Sequence, residues 1–182
     1  MLLLLSLVIN TDLAADYHYA RRYDEAIAQA HKTLEMDPGF YIAHLVLGQA
    51  QEMKGARDAA IAECQKAREL NDDPLVFALL AHAYGLSGNK MEAGKILDQL
   101  KTLSKERYVS AYSFVLTYLG LGDKEEALHW LEQSYQDRAG YDIGFIRVDP
   151  LLDPLRGDPR FEALAEKVVP AAQFGNKATP KQ

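Results

Sequence analysis

Cysteine is almost absent from this sequence, since Cys64 is the only one in 182 residues. A single thiol excludes an internal disulfide framework. There is no Cys-x-x-Cys pair and no two histidines lie three or four residues apart, so a dedicated metal site is not expected. Basic residues are also scattered: the formal net charge is -6, and no run of Lys or Arg exceeds Arg21-Arg22. Nucleic-acid binding needs a concentrated basic patch and is therefore not predicted.

Long hydrophobic runs are missing as well. Residues 1–9 are apolar apart from Ser6, but a membrane-spanning helix needs about 20 apolar residues. The run also lacks the basic flank and the clear cleavage site of a secretory signal. We interpret it as part of the first helix, with a targeting segment or the remnant of a truncated upstream or membrane segment as alternatives. The first interpretation predicts a cytoplasmic location, and the alternatives leave a periplasmic one open.

The sequence is rich in repetition, with a period of about 34 residues. Small residues recur at this interval, and turn glycines precede most of them. The alanines are Ala26, Ala60, Ala93 and Ala127, and the glycines are Gly55, Gly88 and Gly122. A period of this length predicts stacked helix–turn–helix units. The fold class is therefore predicted to be all-α, a right-handed α-solenoid of about four such repeats.

The period divides the chain into four units of approximately 7–40, 41–73, 74–107 and 108–140. Glycine ends a helix cheaply because it adopts the left-handed conformation, but the first unit carries Arg21 at this turn. A strained or different turn is expected there. Residues 141–169 are predicted to form an irregular segment and a capping helix that starts with Asp158 as N-cap and Pro159. Residues 170–182 are predicted to be disordered.

These units resemble tetratricopeptide repeats. The match rests on Leu47-Gly48, Ala60 and Ala67 in the second unit and on Tyr17, Ala26 and Pro38 in the first. The family's first-helix tryptophan is replaced by Asn10, His44, Phe77 and Ala111. The resemblance implies a protein-binding scaffold without catalytic activity or cofactor.

Part of the second half resembles a narrower group. Segments 107–110, 148–150, 153–156 and 158–161 are similar to the C-terminal repeat region of bacterial multidomain signalling proteins. In those proteins the repeats follow a winged-helix domain, a protein kinase or a nucleotide cyclase. None of those motifs is present here, so the alternative function is a sensory or regulatory module without its effector domain.

No constellation of residues points to catalysis. The glycines are isolated and do not form a phosphate-binding loop. Cys64 follows Ala60 by four residues on the inward face of its helix, where a buried thiol behaves as a small hydrophobe. We therefore do not predict an enzyme.

The first helices of the units are expected to line a concave groove. The residues predicted to face it are His18, Tyr19, Ile42, Leu45, Val46, Gln49, Leu75, Leu79, His82, Tyr112 and Leu116. Such an apolar surface favours a partner peptide or helix with apolar anchors. The basic clamp that grips chaperone C-termini in the family is missing, since Thr11, Ala15, Val46, Leu75 and Leu79 occupy those places.

Two alternatives remain open for these surfaces. The groove can be filled by the protein's own chain, either by residues 1–9 or by residues 140–156. The apolar edge of the first unit can also mediate self-association.

Overall fold

Helix follows helix through the described part of the chain, which in this computed structural model comprises residues 2–137 and 143–170. The α-helices in chain order are α1 (Leu2–Tyr19), α2 (Tyr23–Met36), α3 (Tyr41–Met53), α4 (Arg57–Leu70), α5 (Pro74–Leu86), α6 (Lys90–Leu103), α7 (Ala111–Leu121), α8 (Lys124–Gln136) and α9 (Pro159–Val168). A 3₁₀ helix spans Pro150–Leu155. Consecutive helices pack on each other as in a helical-repeat solenoid, and the all-α prediction is confirmed.

The helices form two layers with different surfaces. Helices α1, α3, α5 and α7 contact one another in order and make the inner layer, with α5 and α7 in the most extensive contact. In α7 every residue from Ala111 to Gly120 is buried. The outer helices bury only a stripe, as in α4, where the stripe is Ala60, Cys64 and Ala67. The inner layer therefore holds most of the core.

The turns within the units use the left-handed backbone conformation. Gly55, Gly88 and Gly122 have φ angles of 78°, 89° and 83°. Arg21 occupies the corresponding place in the first unit with φ 60°. This conformation costs a residue with a Cβ atom about 1–2 kcal/mol, so the expected strain of the first turn is present.

The inner layer is tightest where α5 crosses α7. A Cβ atom added to Gly85 would lie 2.1 Å from the backbone oxygen of Gly120. A Cβ atom on Gly120 would in turn lie 2.5 Å from the Cα atom of His82. The two backbones are therefore in direct contact, which fixes the separation of the helices that carry Leu79 and Tyr112.

The C-terminal part is more regular than the sequence indicates. The segment predicted to be irregular contains the 3₁₀ helix, which starts where Asp149 accepts a hydrogen bond from the Leu151 N–H (2.8 Å). Helix α9 follows with Asp158 as N-cap and packs against α8. Its side chains Phe161, Leu164 and Ala165 are buried.

The structure describes the apolar N-terminal run from Leu2 onward, but it does not describe residues 171–182. Helix α1 begins at Leu2, so the apolar N-terminal run continues into the first helix. Along the described residues, no helix combines the length and the apolar character needed to cross a membrane. Residues 138–140 of the fourth unit and residues 171–182 of the predicted disordered tail lie outside the described residues.

Candidate functional site

The inner helices surround a recess of about 170 Å³ on the concave side of the layer. Ten of the eleven residues predicted to face the groove line it: His18, Tyr19, Ile42, Leu45, Val46, Gln49, Leu75, Leu79, Tyr112 and Leu116. They come from α1, α3, α5 and α7, so the repeat register places them on one surface. Thr11, Asp12 and Ala15 on α1 extend the same wall.

His82 is the predicted groove residue that lies elsewhere. Its ring is buried, and its Nδ1 lies 3.0 Å from Oε1 of Glu52 on α3. His82 is not among the residues that line the recess, and its Cα lies at the close crossing of α5 and α7, 2.5 Å from where a Cβ atom on Gly120 would be. His82 therefore belongs to a buried pair between two inner helices.

Residues 143–155, here called the strap, contribute Phe145 and Asp149 to the lining of the recess. Phe145 stacks on Tyr19 with ring centroids 4.5 Å apart, and both line the recess. Asp153 accepts two hydrogen bonds from the Arg21 guanidinium, at 2.6 and 2.7 Å. The strap thus contacts the end of α1 as well as α7 and α8. Of the two self-occupation alternatives, the structure places part of segment 140–156 at the groove and residues 2–9 in α1.

Asp149 of the strap contributes a buried carboxyl group to the recess. It is 5% exposed, and its Oδ2 accepts a hydrogen bond from the Tyr112 hydroxyl at 2.5 Å. Burial raises the pKa of this carboxyl group, although Tyr112 and the Leu151 N–H oppose the shift. In the sequence, Asp149 lies in the segment predicted to be irregular and is not among the predicted groove residues. The one available signal was that aspartate before proline is a common N-cap pair.

His18 contributes a buried neutral ring to the same recess. It is 2% exposed, and neither ring nitrogen has a hydrogen-bond partner. Tyr19 and Tyr23 pack around it with ring centroids 5.7 Å away. Burial and, to a lesser degree, the charge of Arg21 lower the pKa of His18 to about 4. The ring is therefore uncharged at neutral pH and retains both a donor and an acceptor.

Cys64 and His44 lie outside the recess and are buried. Cys64 has no exposed surface to speak of, because it lies in the buried stripe of α4, and burial raises the pKa of its thiol. His44 bonds Glu63 through Nδ1 (2.6 Å) and the Pro38 carbonyl through Nε2 (3.0 Å). Within residues 2–137 and 143–170 no group of three or more potential ligands is arranged to hold a metal ion.

Comparison with known families agrees with this architecture for the first two units. Residues 11–74 match the family model described as tetratricopeptide repeat. The match runs from the recess wall on α1 to the start of α5, and includes Ile42, Leu45, Val46 and Gln49. Repeats of this family generally mediate binding between proteins and are typically non-catalytic. No curated protein matches the chain.

Proposed function

We propose that this chain is a non-catalytic interaction module that binds a partner protein or peptide at its concave recess. The observation that carries the proposal is the convergence of inner-helix side chains around one recess, most of them apolar. Leu45, Val46, Leu79 and Leu116 form its floor and are almost fully buried. Ile42 at the rim is 37% exposed, so a partner can reach the recess there.

The size of the recess limits the mode of binding. An apolar cavity of about 150 Å³ accommodates benzene, so a recess of about 170 Å³ takes a group of roughly six non-hydrogen atoms. This is the size of one side chain. The sequence left a bound peptide and a bound helix as alternatives, and the recess favours a partner segment that inserts a single side chain.

A matched pair of substitutions tests this function. Ile42→Asp places a charge at the recess rim, whereas Leu86→Asp places one at an equally exposed position at the end of α5. Partners captured by the wild-type chain are identified and then titrated against each variant. We expect Ile42→Asp to weaken binding at least tenfold and Leu86→Asp to change it less than twofold. A partner whose affinity is insensitive to Ile42→Asp, and also to Leu79→Ala, excludes the recess as its binding site.

The alternative function rests on the resemblance alone. A sensory or regulatory module of a larger bacterial signalling protein is supported by the similarity of segments within residues 107–161. The strap, which lies in this region, gives such a module a means to sense occupancy of the recess. An in-frame effector domain in the genomic DNA upstream of the Met1 codon supports this alternative, and an intergenic gap there removes it.

A further inference from the structure

The polar side chains in the described part of the recess lining are acidic or uncharged. Asp149 lies at the strap side and Asp12 on α1, and among the described lining residues there is no Lys or Arg to balance them. His18, the remaining titratable nitrogen group of the lining, is neutral at pH 7. A ligand that enters therefore meets the carboxyl groups of Asp12 and Asp149 and the uncharged imidazole of His18, while the Arg21 guanidinium near His18 is engaged by Asp153.

The Asp149 carboxyl group is held in place but incompletely compensated. Its carboxyl oxygens accept hydrogen bonds from the neutral donors Tyr112 O–H and Leu151 N–H. Arg156 lies nearby, but it donates to the Asp149 backbone carbonyl (3.2 Å) and to Asp153 Oδ1 (2.6 Å). Both His82 and Arg156 act on the Asp149 side chain through their charges, which oppose the rise of its pKa without cancelling it. A carboxylate buried in this way gains most from a positively charged group that replaces lost hydration.

The aromatic rings of the recess suit the same kind of ligand. Tyr19, Tyr112 and Phe145 line it together with the apolar floor. Aromatic faces attract cations, and the aliphatic side chains accept an apolar stem. His18 supplies an independent indication of a ligand, because a side chain that is almost fully buried leaves a ring acceptor without a donor.

We infer that the recess binds a primary ammonium group on a short apolar stem. The ammonium group lies against the Asp149 carboxylate and donates to the free acceptor of His18, while the stem contacts Leu45, Leu79 and Leu116. The carrier is a lysine side chain of a partner or a free alkylamine, which share this chemistry. The inference concerns the recess of the proposed function and rests on it.

The first experiment compares three small probes of the same length on the full chain at pH 7. Binding of n-pentylamine, 1-pentanol and pentanoate is followed by the methyl NMR signals of the recess. For a six-atom ligand, we expect n-pentylamine to bind with a Kd on the order of 1 mM. It should bind at least tenfold more tightly than 1-pentanol, and pentanoate should bind least. Equal binding of amine and alcohol, or tighter binding of pentanoate, overturns the inference.

Two substitutions locate the ammonium group. Asp149→Asn keeps an oxygen acceptor for the Leu151 N–H but removes the charge, so we expect n-pentylamine to bind no better than 1-pentanol. Asp16→Asn removes the same charge from an exposed position of α1 outside the recess lining and should change nothing. Unchanged 1-pentanol binding shows that the Asp149→Asn recess is intact. If Asp149→Asn loses 1-pentanol binding, Asp12→Asn replaces it as the test variant. Asp12→Asn should then weaken n-pentylamine binding, by less than is expected for Asp149→Asn, and leave 1-pentanol binding unchanged.

A peptide pair distinguishes the two carriers. Acetyl-Leu-Lys-Leu-amide carries the ammonium group, and its norleucine counterpart has the same stem without the nitrogen. Tighter binding of the lysine peptide than of n-pentylamine assigns the site to a partner's lysine, and binding of the free amine alone assigns it to a small molecule.

The test also separates failure of this inference from failure of the proposed function. If the norleucine peptide and 1-pentanol bind as well as their charged counterparts, the apolar recess stands and the ammonium specificity is wrong. If Ile42→Asp leaves partner binding unchanged while n-pentylamine still binds in preference to 1-pentanol, the protein-binding function is wrong instead.

Discussion

Replacing Gly85 by alanine tests the backbone contact that holds the inner layer together. The added Cβ atom would lie 2.1 Å from the Gly120 oxygen and 2.3 Å from its carbonyl carbon. Both atoms belong to the main chain of the buried helix α7, so no side chain can rotate away. Relief requires α5 and α7 to separate.

The magnitude follows from the size of that separation. Optimal contacts between non-bonded carbon atoms are at about 3.5–4.0 Å, so the helices must move apart by more than about 1 Å. Overpacking of a core typically costs about 1–3 kcal/mol and occasionally more, while alanine in a helix regains at most about 1 kcal/mol over glycine. Because the obstacle is backbone, we expect a net loss of about 3 kcal/mol in the free energy of unfolding.

Urea denaturation of a matched pair measures this effect. Gly94 lies in α6, and a Cβ atom there meets nothing within 4 Å. Gly94→Ala should therefore stabilise the protein by about 0.5–1 kcal/mol, which is opposite in sign to Gly85→Ala. A Gly85→Ala variant as stable as the wild type would refute the close crossing.

Two further predictions concern the residues around the strap. The pKa of His18 is lowered from 6.5 to about 4, so its contribution to stability is complete above pH 6.5 and is lost as the pH falls toward 4. Between pH 7 and pH 5 the free energy of unfolding should fall by about 2 kcal/mol because of His18. Urea titrations at the two pH values should show that His18→Phe removes this fall, whereas substitution of the exposed His31 by Gln does not. Arg21→Gly relieves a strain of about 1–2 kcal/mol and gives up an exposed ion pair worth at most about 1 kcal/mol. It should therefore raise the thermal midpoint, while Arg21→Ala, which keeps the strain and loses the same ion pair, lowers it. An Arg21→Gly variant that melts below the wild type would show that the ion pair with Asp153 outweighs the backbone strain.

The repeat period made the inner surface predictable. Each unit places equivalent residues at equivalent points, so the register that identified Gly55 and Gly88 as turns also placed Ile42 and Leu75 at the recess. These inferences need only local helix geometry and the stacking of neighbouring units. For that reason ten of the groove residues come together without any knowledge of longer-range contacts.

What could not be predicted depends on contacts that break the repeat. The crossing at Gly85 and Gly120 joins α5 to α7, and His82 lies at this crossing and not in the recess lining. The strap lies outside the repeating units, and its contacts link residues more than a hundred positions apart, as between Arg21 and Asp153. No periodicity reports such a pair. The position of Asp149 in the recess follows from the same long-range packing.

The strap also determines how a partner can enter the groove. A helix would have to displace it, which breaks the Tyr19–Phe145 stack and the Tyr112–Asp149 hydrogen bond. It would also expose the buried strap side chains Ile146, Leu151, Leu152 and Leu155. Burial of one aliphatic side chain contributes about 1.5–3 kcal/mol, so exposing these four costs more than about 5 kcal/mol. A cost of that size weakens the binding of a helix more than about a thousandfold. Insertion of one side chain through the rim at Ile42 avoids this cost. The structure therefore favours a partner that places a single side chain beneath an intact strap.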